Sequence, residues 1–271
     1  RQDGALRGLA PLARRNGTIT FLGSPDVCDY LDFVVNRGSE APFYQRLLER
    51  LDGLEWNTLL LTSIPQGSPT LQYLPELARQ RGYQVTIEQE DVAPGVELPA
   101  TWDEYLGRLG KKDRHELRRK MRRLESLGGV RYYVTGDQAD LSKDLEDFFT
   151  LMRASREDKD RFLTQEKEGF FRRMAAEMQA LGVLRLFFLE VKGVRVASAL
   201  CFDYGQARLL YNSGFDPEYG YYSVGLLLKA YCLKQALEEG KGYFDFLRGG
   251  EHYKYDLGAR DKVIYQMTVR R

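Results

Sequence analysis

Histidine and cysteine are the scarcest reactive side chains in this 271-residue sequence. Two histidines, His115 and His252, all but exclude a His-rich metal site. The three cysteines, Cys28, Cys201 and Cys232, lie far apart and match no metal-ligand spacing, so no metal is expected. An odd cysteine count without a disulfide framework fits a reducing compartment, which points to the cytoplasm. Two of the three sit in apolar surroundings and read as small buried hydrophobes. Charge of one sign is lacking as well. Forty Lys and Arg against 39 Asp and Glu give a net charge of +1, so no global field draws nucleic acid or an anionic membrane. Any preference for polyanions must come from a local patch. No apolar run approaches the roughly 20 residues needed to span a bilayer, and no signal peptide is visible. The sequence starts at Arg1 without Met and reads as strand almost at once, so a missing upstream segment is expected.

What is present is core material. A hydrophobic content of 43% and an aromatic content of 12% suffice for one large domain or two medium ones. Residues 5–13 and 18–22 flank Asn16-Gly17 and read as a hairpin. A helix is expected over about 40–52, where Phe43, Leu47, Leu48 and Leu51 make a stripe. A buried strand is expected at 56–62, a helix near 70–81 opened by Ser68-Pro69, and a strand at 83–90. Residues 91–100 form a connector, and Thr101 with Glu104 makes a capping-box pattern. A basic helix follows over about 111–127. The remainder reads as strand 130–135, helices near 140–155 and 167–181, strands 184–191, 195–203 and 207–214, helix 224–239, and strands 243–247 and 262–269. The hairpin strands must be antiparallel, whereas the later strand–helix–strand passage favours a parallel pair.

Several segments could carry chemistry. A helix start at Tyr222-Ser223-Val224-Gly225 offers free amides to a phosphate, with Gly225 permitting close approach; alternatively Ser223 is a plain cap and Gly225 a packing glycine. Asn212 and Ser213, next to Tyr211, interrupt an apolar strand and either line a site or begin a loop. The densest polar cluster is 244–254. Asp245 alternates with Phe244 and Phe246, and Asp245, Glu251 or His252 could accept a proton from an amine. Lys254 is either a site cation or surface charge. Arg248, Tyr253, Tyr219 and Tyr221 could line an acceptor site, or the tyrosines could simply pack. The basic helix carries eight Lys or Arg between Lys111 and Arg123, with Leu117, Met121 and Leu124 as its docking stripe. It either holds phosphate or is a solvated face paired with the acidic stretch Asp137–Asp147.

The order of elements in the second half is similar to that of GNAT acyltransferases. Residues 100–134 and 211–259 resemble the CelD-like subgroup, and the latter also resembles Fem-type aminoacyltransferases. The first half resembles the degenerate first module of such tandem proteins. The resemblance implies an α/β (α+β) fold of two GNAT-like modules, each a mixed, mostly antiparallel sheet flanked by helices. Residues 1–100 would be the degenerate module, 101–129 a basic linking helix and 130–271 the transferase. It further implies acyl transfer from acetyl-CoA or another acyl-CoA to an amine on a small molecule, glycan or peptide, connected with exopolysaccharide or cell-envelope products. Main-chain groups near Tyr211–Gly214 would stabilise the oxyanion, with direct attack in a ternary complex. Family members that use CoA carry Gln/Arg-x-x-Gly-x-Gly/Ala where this chain has Tyr222-x-x-Gly225-x-Leu227. Lys254 matches the Lys of the Phe-Lys pair in Fem-type enzymes, which implies aminoacyl transfer from tRNA as the rival reading. A scaffold with a decayed donor loop is a third.

Overall fold

The computed structural model describes residues 5–135 and 140–271. In chain order the elements are β1 (Gly8–Leu9), β2 (Leu12–Arg15), β3 (Thr18–Phe21), β4 (Val34–Val35), α1 (Glu40–Asp52), β5 (Thr58–Pro65), α2 (Pro69–Arg79), β6 (Gln84–Val92) and β7 (Gly95–Glu97). Next come α3 (Trp102–Arg108), α4 (Lys111–Glu125), β8 (Val130–Val134), α5 (Leu141–Ser155), α6 (Glu157–Phe162) and α7 (Gln165–Ala180). The chain closes with β9 (Leu184–Val191), β10 (Val194–Tyr204), β11 (Ala207–Phe215), a 3-10 helix (Pro217–Tyr222), α8 (Val224–Glu238), β12 (Tyr243–Asp245), α9 (His252–Asp256) and β13 (Val263–Arg270). Among the described residues no helix is long and apolar enough to cross a membrane.

The chain divides into two compact units. The first comprises residues 1–93, 248–250 and 261–271, and the second residues 94–247 and 251–260. This division departs from the expected boundaries at 100 and 129. The basic helix and the segment before it belong inside the second unit, while the final strand belongs to the first. The reason is hydrophobic: Met267 and Val269 are fully buried among Leu59, Leu61 and Leu74. Such side chains each contribute about 1.5–3 kcal/mol when removed from water.

The first unit's sheet runs β2-β3-β5-β13-β6, with β3 and β5 parallel and the other pairs antiparallel. Its hairpin turns at Asn16-Gly17, both at positive φ (50° and 75°), as the sequence predicts. The expected run 5–13 is broken, however, and only β2 pairs with β3. Ser68 caps α2 through the Thr70 amide, with Pro69 in the first turn.

The second unit's sheet runs β7-β12-β11-β10-β9-β8 and likewise contains one parallel pair, β11 with β12, where a helical crossover predicted it. The period of two sorts its side chains onto two faces. Phe187, Leu189, Ala199 and Cys201 pack with α3, α4 and α8, while Leu186, Phe188 and Leu200 pack with α5 and α7. The connector 91–100 contains a strand that sequence did not predict, β7, which pairs with β12. The capping box at Thr101 and Glu104 forms as expected. Gly214 fixes the approach of α5 to β11. A Cβ there would stand 2.3 Å from the Met152 nitrogen, a clash with backbone that no rotamer relieves.

Candidate active site in the second unit

β11 and β12 share a short register, Ala207–Leu209 against Tyr243–Asp245. β11 then continues to Phe215 without its neighbour, so the edge from Leu210 onward is free of β12. Side chains from three helices fill this gap. Lys159 of α6 donates to the Asn212 side-chain oxygen at 2.9 Å and to the Ser213 carbonyl at 2.5 Å. Lys229, in the second turn of α8, donates to the Gly225 carbonyl at 3.2 Å and lies 4.6 Å from the centre of the Tyr253 ring. Lys254 of α9 is buried and donates to the Leu247 carbonyl and to Glu251, each at 2.9 Å.

Among the described residues, the hydrogen bonds of Lys159 and Lys229 go to amide oxygens and none to a carboxylate. Burial therefore dominates their protonation. It pushes Lys159 down to about 7, and the nearby charges of Lys229 and Arg156 act in the same direction. Burial also pushes Lys229 down to about 8, with Glu251 opposing and Lys254 reinforcing. A neutral Lys159 amine donates two hydrogens, one to each of its acceptors, and keeps a lone pair for an incoming proton. Desolvation of the Glu251 carboxyl would raise its pKa, but its bond to Lys254 holds it below the ordinary range.

The start of α8 flanks the same gap. Ser223 adopts a left-handed conformation (φ 56°, ψ 35°) and makes no side-chain cap bond, so the plain-cap alternative does not describe it. Instead its hydroxyl meets Arg123 at 3.3 Å, and that guanidinium stacks 4.3 Å from the Tyr221 ring. The Arg123 Nε is buried without a hydrogen-bond partner among the described residues. An orphaned donor beside a helix N-terminus suits a phosphate. Gly225 has a packing reason, because a Cβ there would come 2.8 Å from the Phe215 ring.

The other residues singled out in the sequence are placed as follows. Asp245 is buried and accepts the Leu247 amide at 2.8 Å, tying the end of β12 to the turn that follows. Leu247 takes a left-handed φ of 58° there. Tyr211 packs between Phe171 and Phe202 on the α5 face. The Ser213 amide, a candidate for oxyanion stabilisation, bonds the Asn212 side chain at 2.8 Å. Tyr219 and Tyr222 pack on the core, Tyr221 is exposed, and Val224 is buried. Tyr253 is driven far above the ordinary tyrosine range by burial. His252 projects into solvent and pairs with Asp256 one turn on, at 3.2 Å. Arg248 is not brought to this gap. It belongs to the first unit, where it binds Glu90 and Asp91 at 2.8 and 2.7 Å and Ser63 at 3.1 Å.

Lys159 and Lys229 escaped the sequence reading. Lys159 lies in a helix that was not expected, between the two that were. Lys229 left a signal, as the lone charge in the otherwise apolar stretch Val224–Leu233. The basic helix is largely exposed, as the solvated-face alternative has it, but its ion pairs among the described residues lie within the helix and not with the acidic stretch. Arg119 and Lys120 pair with Glu116 on the same helix, and Asp144 and Asp147 bind Arg195 instead. Residues 137–139 of the acidic stretch lie outside the described residues. No group of three or more His, Cys, Asp or Glu that could hold a metal occurs among the described residues.

The profile of the acetyltransferase (GNAT) domain matches residues 111–255, more than half of the chain. This chain belongs to the GNAT family. Membership places its chemistry in acyl transfer. Solved structures share the fold over nearly the whole chain. FemX superposes with a TM-score of 0.66 at 14% identity, covering 98% of this chain and 86% of that one. L-PGS from Bacillus licheniformis superposes with a TM-score of 0.64 at 14% identity, covering 100% and 82%. The C-terminal domain of a lysylphosphatidylglycerol synthetase assigned in Agrobacterium fabrum gives 0.62 at 11%, covering 96% and 79%. A comparison with curated protein sequences finds no match.

Proposed function

We propose that the second unit is an N-acyltransferase that moves an acyl group from a thioester such as acyl-CoA to an amine, with the gap beside β11 as its centre. The observation that carries this reading is Lys159 held on the free edge of β11, with the charge of Lys229 acting on it and neither lysine bonded to a carboxylate. The amine nitrogen would form the new C–N bond and the C–S bond would break. The proton lost by the attacking nitrogen would pass to the neutral Lys159 amine, whose value of about 7 suits a base working near neutrality. Asn212 would orient that amine, and Arg123 with the first α8 amides would hold the donor's phosphates. Asp245 and Lys254 would keep the 246–251 turn in place rather than touch substrate, and His252 would take no part. The resemblance of 100–134 and 211–259 to CelD-like proteins favours an acceptor from cell-envelope or exopolysaccharide metabolism.

A second reading, aminoacyl transfer from tRNA, draws on Gly225, which packing explains without a CoA contact, and on the likeness to FemX. Thermal unfolding with acetyl-CoA and with aminoacyl-tRNA added separately distinguishes the two. A rise in Tm with acetyl-CoA alone supports the first. A rise with tRNA alone replaces it with the second.

A further inference from the structure

The first unit contains a groove of about 450 Å³ that the transfer reading does not use. That volume lies within the usual range for small-ligand sites. One wall is a single face of α1, where Ser39, Pro42, Phe43, Arg46, Leu47 and Arg50 follow one another at helical spacing. From Ser39 to Arg50 this face extends roughly 16 Å, so the groove is elongated. The opposite wall is Arg7, Gly8 and Ala10. It is fixed by the Asn36 amide on the Arg7 carbonyl at 2.9 Å and by the pairing of Gly8 with Val35. A Cβ on Gly8 would stand 2.5 Å from the Phe43 ring, so glycine is what lets that ring lie against the strand. Phe43 also packs on Phe33 and Tyr44, at 5.6 and 5.2 Å between ring centres, which makes it a rigid wall.

The charge in this groove is of one sign. Among the described residues three arginines line it, Arg7, Arg46 and Arg50, and no carboxylate does. All three are exposed, so a ligand in the groove can reach their donors. Arg46 meets Glu49 at 3.1 Å, but its side chain is 85% exposed and solvent screens the pair. The side chains of Arg7 and Arg50 make no hydrogen bond or ion pair among the described residues. Arg46 and Arg50 stand one helical turn apart, where like charges repel and an anion between them is favoured. A guanidinium fork matches a carboxylate or a phosphate. An inorganic anion would leave Ala10, Pro42, Phe43 and Leu47 uncovered. An anion on an aliphatic chain meets both surfaces and the length of the groove.

We propose that this groove binds a soluble alkyl anion, its phosphate or carboxylate head held by Arg7 and Arg50 and its chain lying on Phe43 and Leu47. The proposal does not depend on acyl transfer. Calorimetric titration of the whole chain with octyl phosphate at fixed ionic strength tests it, against Arg7→Gln and Arg50→Gln. Arg15→Gln, which removes an exposed arginine outside the groove, is the control of equal charge. Saturable one-site binding to the wild type is expected, weakened about tenfold or more in Arg7→Gln and Arg50→Gln and unchanged in Arg15→Gln. Octanol and inorganic phosphate, each matching one half of the ligand, should bind about tenfold more weakly or less. The proposal is overturned by absence of saturable heat up to about 10 mM octyl phosphate, by equal weakening in Arg15→Gln, or by equal affinity for inorganic phosphate. Capture on phosphatidylglycerol vesicles without binding of octyl phosphate also overturns it, in favour of a membrane surface. No turnover is measured, so the result stands whether or not the acyl-transfer reading does.

Discussion

The two units are built alike but treat their polar interiors differently. Each has a mostly antiparallel sheet with one parallel pair, β3 with β5 in the first and β11 with β12 in the second. In the first unit the prominent interior cation, Arg248, is matched by Glu90, Asp91 and Ser63. In the second, Arg208 is likewise matched, fully buried against Asp203 at 2.8 and 3.0 Å and Glu239 at 2.5 Å. Lys159 and Lys229 are the exceptions, satisfied only by amide oxygens. A compensated cation is bound into the fold, because removing it would strand its partners, whereas an uncompensated one is poised to change protonation or to meet a ligand. The contrast therefore separates structural charge from candidate chemistry within a single chain.

Substitutions sharpen this contrast, beginning with the largest expected effect. Lys159→Met should reduce acyl transfer by about 10²–10⁴-fold, the usual worth of a positioned base, without lowering Tm. Equal turnover in the variant would remove Lys159 from the chemistry. Arg248→Met should do the reverse. It should lower stability by about 2–3 kcal/mol in denaturant titration, since it strands Glu90 and Asp91, and leave transfer intact once folded. A subtler difference lies in pH. The folded pKa of Lys159 lies below the unfolded value, so the unfolded chain holds the extra proton between about 7 and 10.5. Wild-type stability should accordingly gain on that of Lys159→Met as pH rises through this window, and the difference should be least favourable to the wild type below 7. The smallest effect is expected for His252→Ala, within about 0.5 kcal/mol in stability and without loss of turnover, because the ring lies in solvent.

Much of the fold was legible because periodicity is local. The expected strand 184–191 coincides with β9, and the helix beginning at 224 is where the pattern put it. Partnership was not legible. Nothing in Val263–Arg270 announces that it inserts between β5 and β6, because its apolar alternation would suit either sheet. The candidate site was legible as a region only. Asn212 and Ser213 accept from Lys159, and Gly225 and Tyr253 meet Lys229, yet Lys159 comes from α6, 53 residues before Asn212. Arg248, six residues from Lys254, goes to the other unit. Proximity along the chain misleads where a sharp turn such as the one at Leu247 intervenes.

The most direct measurement is an NMR titration of the lysine side-chain resonances in the intact chain, resolved by single Lys→Arg substitutions. The account predicts that Lys159 and Lys229 titrate near 7 and 8, well apart from the solvent-exposed lysines. If both titrate together with the exposed lysines, the gap beside β11 holds ordinary ammonium groups and is not the catalytic centre described.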